Sequence, residues 1–373
     1  MAYVATFQGT AAEGHIDTVR EAVRILEREM NTMVTANSTQ ATPDPAMIES
    51  LQRLGLLHDH NGATFTALPG GVSSDIWLVH ADGRVYCVKR ALSKLKVAAD
   101  WFAPVERNRY EVAWCQIANE LVPGAAPRIL AHDDGAMLCA MEYLDPQRHK
   151  LWKAELREGR ADVQQAALAG RRLGRIHAGA AGDDAVYARF PRTDIFHAIR
   201  LEPYLEATTA RHPDLHEQLF ALSRRTAEIR ATMIHGDVSP KNILLGPHGP
   251  LFLDAECACI GDPAFDIAFC LNHFLLKCLW TPPATRDFLA CFHAMAASYL
   301  QEVDWEARAT LEERAATLLP GLFLARVDGK SPVEYITADA DKAKVRRCAR
   351  ALLFTPPTRL RDVANAWQEE IAQ

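Results

Sequence analysis

The sequence predicts an α+β chain in which a small antiparallel sheet carrying one helix precedes a larger, mainly helical region. Three observations carry this reading. Hydrophobic alternation with a period of two begins at residue 63 and fades near 144. A helical period of three to four dominates 146–232 and resumes after 266. An apolar, turn-rich stretch over 233–266 separates the two helical runs. A chain of 373 residues is long enough for about two to three structural units and a large core.

The elements follow in chain order. Ile16, Val19, Val23, Leu26, Met30 and Met33 recur at steps of three and four, so 14–35 reads as an amphipathic helix. Its apolar stripe either docks on the body of the protein or pairs with a second copy in a homodimer. The polar, Pro-punctuated segment 37–45 is a linker, and 46–57 is a second short amphipathic helix, so 1–60 forms an N-terminal helical extension. The runs ATFTAL, DIWLVH and VYCVKRA then alternate as strands, with Gly70-Gly71 and Asp82-Gly83 at their joints. A helix through about 104–120 and two strands around the Asp134-Gly135 turn complete a sheet unit over 61–144. The remainder, 145–373, is helical apart from the 233–266 stretch. FDIAFCLNHFLLKCLW (265–280) is apolar on all sides and so predicts a buried helix.

Composition excludes several function classes. Hydrophobic residues make up 49% and charged residues 24%, the mixture of a folded globular protein rather than a disordered or fibrous one. The net charge of −6 and a pI near 6.2 supply no basic field for a phosphate backbone, so nucleic acid is not an expected partner. Neither a signal-peptide pattern at the start nor a run of about 18 apolar residues is found, so no membrane association is expected. Nine cysteines scattered from Cys87 to Cys348 form no framework and suit a reducing, cytoplasmic setting. Cys257-x-Cys259 lacks the second ligand pair that zinc needs.

Two hairpins carry the chemistry. In NILLGPHGPLFLD, pairing Leu245 with Pro250 sets Asn242 opposite Leu253, which brings Asn242 and Asp254 to one end of the ribbon. In the preceding MIHGDVSPKN, Gly236 and Pro240 break any helix and leave Asp237 in a loop near that same end, with Glu256 two residues beyond Asp254. Converging oxygen groups at a loop mouth suit magnesium, which takes one or two carboxylates plus water and phosphate oxygens. In the first ribbon, a two-residue Asp82-Gly83 turn sets Lys89 opposite Ile76, close to Ser74 and the Gly70-Gly71-Val72-Ser73 turn. Glycine N–H groups, the hydroxyls of Ser73 and Ser74 and an ammonium together make a phosphate cradle. A lysine on the face of Val85 and Cys87 needs a counter-ion, for which the following helix offers Glu111, or alternatively Glu106.

The order of these parts, a Gly/Ser loop, a strand lysine, a helix glutamate, HGD-x4-N and D-x-E, resembles the aminoglycoside phosphotransferase and choline kinase superfamily. LGRIHA (173–178) and GDPAFDIA (261–268) extend the resemblance across roughly 61–275. It implies a protein-kinase-like two-lobe fold, with 61–144 as nucleotide-binding N-lobe and 145–373 as catalytic, acceptor-binding C-lobe. It also implies an ATP- and Mg-dependent phosphotransferase acting on a small-molecule hydroxyl. On this resemblance Asp237 is the catalytic aspartate that orients the acceptor hydroxyl, Asn242 and Asp254 are magnesium ligands, and Lys89, fixed by Glu111, holds the α/β-phosphates. Glu142, Tyr143 and Leu144 fall where the interlobe linker offers backbone groups to adenine, and His235 and Asp266 brace the catalytic loop.

The chain departs from the protein-kinase pattern at Ser239, where those enzymes carry a lysine two residues after the catalytic aspartate. Lys241, two further on, either touches the γ-phosphate or points to water. Glu256 stands in place of the glycine of the DFG triplet and supports the metal indirectly. The region 281–373, with 13 acidic and 12 basic residues, supplies no acidic excess of the kind a polycationic antibiotic would require. A metabolite kinase is therefore favoured over an antibiotic phosphotransferase, and the intact set Lys89, Asp237, Asn242 and Asp254 over a non-catalytic nucleotide-binding module. Arg326 and Lys330, around the Gly329 turn, either bind an anionic group of the acceptor or cap a helix as solvated charges. Asn272 and His273 are core polar groups or face the acceptor pocket.

Overall fold

Two positive backbone angles set the register of the first sheet. Asp82 (φ 51°) and Gly83 (φ 72°) form a two-residue turn between β2 (Ser74–Ala81) and β3 (Arg84–Ala91), which pairs Ile76 with Lys89. β1 (Thr64–Ala67) adds to the outer side of β2, and β5 (Leu138–Glu142) to the other side of β3. β4 (Ile129–Asp133) closes an antiparallel sheet of order β1-β2-β3-β5-β4. The computed structural model describes residues 42–59, 62–68, 74–93 and 104–373. The stripe over 14–35, with the homodimer expectation attached to it, and the cradle residues Gly70, Gly71 and Ser73 lie outside the described residues.

A helix packs against each face of the sheet. Helix α1 (Pro45–Arg53) places Met47 and Leu51 in one apolar cluster with Trp77, Val79, Tyr86, Val88, Leu138 and Ala140. Ser50 and Arg53 bond Asp133, and Arg90 bonds Asp44 at 2.6 Å. Part of the segment read from sequence as an extension is thus core of the small lobe. Its apolar period announced a helix but not the surface that the helix covers. Helix α2 (Arg107–Leu121) lies on the opposite face, where Asn108 meets Cys139. That second face carries Lys89 and Cys87, and Val85 on it is 42% exposed. It opens toward solvent beyond α2 instead of closing into a core.

β5 leads through 143–149 into β6 (Lys150–Leu151), which joins β8 (Ile243–Gly246) and β9 (Gly249–Phe252) in a three-stranded sheet. The β8–β9 register is the predicted one, Leu245 opposite Pro250, and Leu253 N–H donates to Asn242 O at 2.8 Å. β7 (Thr232–Ile234) pairs with β10 (Cys259–Gly261). Around these ribbons pack α3 (Trp152–Arg157), α4 (Val163–Ala180), a π-helix (His197–Glu206) and α5 (His216–Glu228). After them come α6 (Pro263–Trp280), α7 (Thr285–Gln301), α8 (Arg308–Asp328), α9 (Asp339–Phe354) and α10 (Leu360–Ala372). Every residue of α6 from Pro263 to Cys278 is buried, as its continuous apolar pattern predicted. Helix α4 approaches α7 so closely that a Cβ on Gly170 would lie 2.2 Å from Met295 O. Among the described residues no helix is long and apolar enough to cross a membrane.

Candidate active site

The loop that follows β7 is held in place from the start of α6. Asp266, at the start of α6, accepts hydrogen bonds from the N–H groups of His235 (2.7 Å) and Gly236 (2.8 Å), and His177 Nε2 lies 3.2 Å from it. His235 Nδ1 accepts the N–H of Asp237 at 3.2 Å, so its Nε2–H donates to Leu253 O at 3.0 Å. Burial keeps the imidazole neutral by pulling its pKa below the usual value. Gly236 has φ 77°, and a Cβ there would stand 2.7 Å from Cys257 O. Both His235 and Asp266 therefore brace the loop, as the resemblance implied.

This bracing aims Asp237, 1% exposed, at a crowded position. Its Oδ2 accepts from Asn242 Nδ2 at 2.8 Å and lies 2.7 Å from Arg200 and 3.1 Å from Lys241. Oδ1 is buried with no partner among the described residues, and so is Ser239 Oγ two residues on. Burial alone raises the pKa of a carboxyl, but the charges of Arg200 and Lys241 outweigh it and hold Asp237 below the usual carboxylate range. Lys241 is half-exposed, and its ammonium lies beside Asp237.

Arg200 is the residue that sequence reasoning missed. It sits in the π-helix, 9% exposed, with Nε donating to Gly236 O at 2.8 Å, so one guanidinium holds both the loop backbone and the aspartate. Nothing in its local pattern marks it out, because a helical arginine is ordinarily a solvated one.

Opposite lies the strand lysine. Lys89, 6% exposed, bonds Glu111 at 2.8 Å and also Asp254. Glu106 takes no part in this pair among the described contacts, which settles the counter-ion on Glu111. Burial disfavours the ammonium, but Asp254, Glu111 and Glu256 together hold Lys89 protonated. Burial likewise pushes Glu111 upward, with the neighbouring carboxylates adding to the rise and Lys89 opposing it. Asp254 is held well below the usual range against its burial, chiefly by Lys89 and Lys241. Its backbone is left-handed at φ 66°, a strained setting for a residue with a side chain, and it lies one residue beyond Leu253, the partner of Asn242. Glu256 turns to Arg107 at 3.1 Å, and Arg107 also donates to Leu92 O and Pro104 O, so Glu256 ties α2 to the Asp254 turn.

The remaining predicted groups distribute as follows. Ser74 is buried at the head of β2 opposite Ala91, two residues from the Lys89 row. The N–H of Glu142 donates to Arg128 O and its carboxylate accepts from Arg128 N, so that N–H is occupied; Tyr143 and Leu144 follow, half-buried. Arg326 and Lys330 separate: Lys330 pairs with Glu202 at the surface, whereas Arg326 is buried. The sequence treated the two as equivalent because they flank one turn, but α8 continues through Arg326 and ends before Lys330.

Asn242 and Asp254 offer two oxygen-bearing side chains at one mouth. The Asn242 amide donates both to Asp237 O and to Asp237 Oδ2, which leaves its Oδ1 without a protein donor among the described residues. No cluster of three or more His, Cys, Asp or Glu side chains stands ready to hold a metal among those residues. A hard cation completed by phosphate oxygens and water fits this sparse oxygen set.

A family model, the phosphotransferase enzyme family, matches residues 64–297, which run from β1 to α7. No curated protein matches the chain. Among solved structures, an ethanolamine kinase from Plasmodium vivax is similar with a TM-score of 0.53 and 13% identity, covering 88% of this chain and 96% of its own. The amicoumacin kinase hAmiN, solved with AMP-PNP, Ca²⁺ and Ami, is similar with a TM-score of 0.50 and 16% identity, covering 85% of this chain and 95% of its own. These likenesses carry the fold, a small sheet lobe on a large helical one, as the residue pattern led us to expect. Because the matched span exceeds half of the sequence, the chain belongs to the phosphotransferase enzyme family.

Proposed function

We propose that the protein is an ATP- and Mg²⁺-dependent kinase that transfers the γ-phosphoryl group to a hydroxyl of a small-molecule metabolite. The observation that carries this reading is the single ammonium of Lys89, held by Glu111 of the small lobe and touching Asp254 of the large one. It stands where a nucleotide's phosphates would meet both lobes, with Asp237 and Asn242 on the far side of the same mouth. The nucleotide and divalent ion in the amicoumacin kinase structure support the same assignment.

In this reading the acceptor oxygen forms a bond to the γ-phosphorus as the bond to the β-phosphate oxygen breaks, leaving ADP, and the hydroxyl proton passes to Asp237 or to water. Asp237, ionised and fixed by Arg200, aligns the hydroxyl, with Oδ1 as the acceptor that none of the described residues occupies. Lys89 neutralises phosphate charge; Ser74, with Gly70, Gly71 and Ser73 as the sequence suggests, donates to the phosphates; and the backbone at 142–144 receives the base. Asn242 and Asp254 would hold Mg²⁺, which supplies positive charge to the phosphate oxygens. Expression in the cytoplasm, where ATP is available, fits nine free thiols.

A coupled ADP-release assay over sugars, hydroxy acids, amino alcohols and aminoglycosides tests the assignment. The wild type is expected to turn over at least one acceptor, and Asp237→Asn to bind nucleotide but lose at least about 10³-fold in kcat. Equal turnover by the two proteins removes Asp237 from the mechanism, and failure to bind nucleotide at all removes the kinase.

A further inference from the structure

A buried positive field that the phosphate chemistry does not use lies where α6 meets α8. His273, in the buried part of helix α6, is 5% exposed; its Nδ1 is 3.4 Å from Tyr335 OH and its Nε2 has no partner among the described residues. The charges of Arg326, Lys277, Lys241 and Lys153 all bear on it, and with burial they keep the ring neutral. Arg326 is 7% exposed, bonded by one arm to Tyr204 OH (3.0 Å) and Ser331, with Nε unpartnered among the described residues. Lys277 is 1% exposed, with Nζ over the rings of Trp280 (4.6 Å) and Tyr335 (4.7 Å). Neither Arg326 nor Lys277 has a carboxylate within ion-pair distance among the described residues. The neighbouring carboxylate, Glu334, is taken by Lys153.

A buried ammonium without a counter-ion gives up its proton readily and an unpaired buried donor is costly; an anionic ligand relieves both by restoring the charge and accepting the donors. Two routes join this cluster to the transfer point. Lys241, whose charge reaches His273, stands 3.1 Å from Asp237. Arg200 and Tyr204 lie four residues apart on the π-helix, one bonding Asp237 and the other Arg326. The aromatic faces that would attract a substrate ammonium are already occupied by the protein's own Lys277, so an organic cation meets repulsion instead of a cage.

Resting on the kinase reading above, we propose that the acceptor is an anionic alcohol, a hydroxyl compound whose carboxylate or phosphate group binds between Arg326, Lys277 and His273 while its hydroxyl meets Asp237. The geometry therefore assigns the site to hydroxy acids or phosphorylated polyols and away from amino alcohols and aminoglycosides.

Calorimetric titrations of the full chain test this with the nucleotide cleft filled by AMP-PNP and Mg²⁺, so that added anions do not compete for it. The probes are glycerate, glycerol 3-phosphate, neutral glycerol, and the cations choline and ethanolamine. At least one of the two anions is expected to bind ten-fold or more tightly than glycerol and both cations, and which of them does so tells carboxylate from phosphate. Lys277→Met is expected to lose ten-fold or more of that affinity with AMP-PNP binding unchanged within two-fold, and Arg326→Gln serves as a second variant if the first fails to fold. Anion binding equal to that of glycerol, preference for the cations, no binding by any probe, or unaltered anion binding in a folded variant would each overturn the inference, the last two assigning the unpaired groups to buried water. Loss of AMP-PNP binding by the wild type is a separate result that removes the kinase reading instead.

Discussion

Arg200→Met isolates the contact that most directly sets the state of Asp237. The substitution keeps an unbranched apolar stem in the π-helix and deletes a guanidinium that lies 2.7 Å from Asp237 Oδ2 and donates to Gly236 O at 2.8 Å. Asp237 is then a carboxylate 1% exposed, with Asn242 and the half-exposed Lys241 as its remaining partners. An exposed ion pair contributes at most about 1 kcal/mol, whereas stripping one partner from a buried pair costs about 3–5 kcal/mol, so Lys241 does not replace Arg200. At about 2 °C per kcal/mol for a chain of this size, Tm falls by roughly 6–10 °C. Because Arg200 and Lys241 hold the native pKa of Asp237 below the ordinary carboxylate value, its contribution is present above that ordinary value and is lost as pH falls through the lower native one. The stability gap between wild type and variant is thus full at neutral pH and narrows in acid. The same loss moves the acid limb of kcat/KM upward in pH, and displacement of the carboxylate lowers kcat by about 10²-fold. Urea melts from pH 3 to 8 and pH–rate profiles of both proteins measure these effects. Coincident acid limbs with Tm values within a degree would refute the idea that Arg200 holds Asp237.

Four further outcomes are expected. Lys89→Met leaves Glu111 and Asp254 without their shared cation and should reduce kcat/KM by at least about 10²-fold, measured by ADP release. Gly236→Ala forces a side chain into φ 77° with a Cβ 2.7 Å from Cys257 O, and should cost roughly 2–3 kcal/mol in urea melts and abolish turnover. Glu256→Gln weakens the tie to Arg107 and should destabilise by about 1–2 kcal/mol while loosening nucleotide binding several-fold, read by calorimetry. Burial, with Lys153 and Arg326 adding repulsion and Glu334 and Cys270 opposing it, lowers the pKa of Lys277 to about 7. Its native form therefore holds fewer protons than the unfolded chain between that pH and 10.5, so this group makes stability rise with pH across that window, while oxyanion binding strengthens by up to about ten-fold from pH 8.5 to 6. A flat profile in Lys277→Met is the matching control.

What could be read from the sequence was mainly local geometry. Two-residue and four-residue turns fix ribbon registers by simple pairing, so Lys89 opposite Ile76 and Asn242 opposite Leu253 followed from the positions of Asp82-Gly83 and the Gly246–Gly249 turn. The uninterrupted apolar run predicted the burial of α6, and the cost of a buried lysine pointed to Glu111. Long-range choices left no such mark. Arg200 meets Asp237 across 37 positions through a π-helix that no period announces, and α1 covers a sheet whose own alternation says only that one face is apolar. Lys277 resembles a helix C-terminal cation, and only the tertiary packing of Trp280 and Tyr335 around it shows that it is buried. Arg326 and Lys330 look alike in sequence, but the end of α8 between them sends one into the protein and the other to Glu202.

The contact between Lys89 and Asp254 imposes a condition on the proposed chemistry. An ammonium and a carboxylate that neutralise each other are not both free to serve a phosphate and a cation. If Lys89 is to hold phosphate oxygens and Asp254 a magnesium ion, the two must part, and each ligand then compensates the charge that the other exposes. A phosphate that takes Lys89 leaves Asp254 negative and ready for the cation, and a cation on Asp254 leaves Lys89, still anchored by Glu111, ready for the phosphate. Nucleotide and cation affinities should therefore be coupled, each raising the other by the same factor, as linkage requires. In Asp254→Asn, which has no charge for Lys89 to neutralise, ADP should bind without the cation at least as tightly as in the wild type, and added Mg²⁺ should strengthen it by less than about two-fold. Calorimetry of ADP with and without Mg²⁺ on both proteins measures the coupling, and equal Mg²⁺ enhancement in the two would show that Asp254 and Lys89 do not exchange partners.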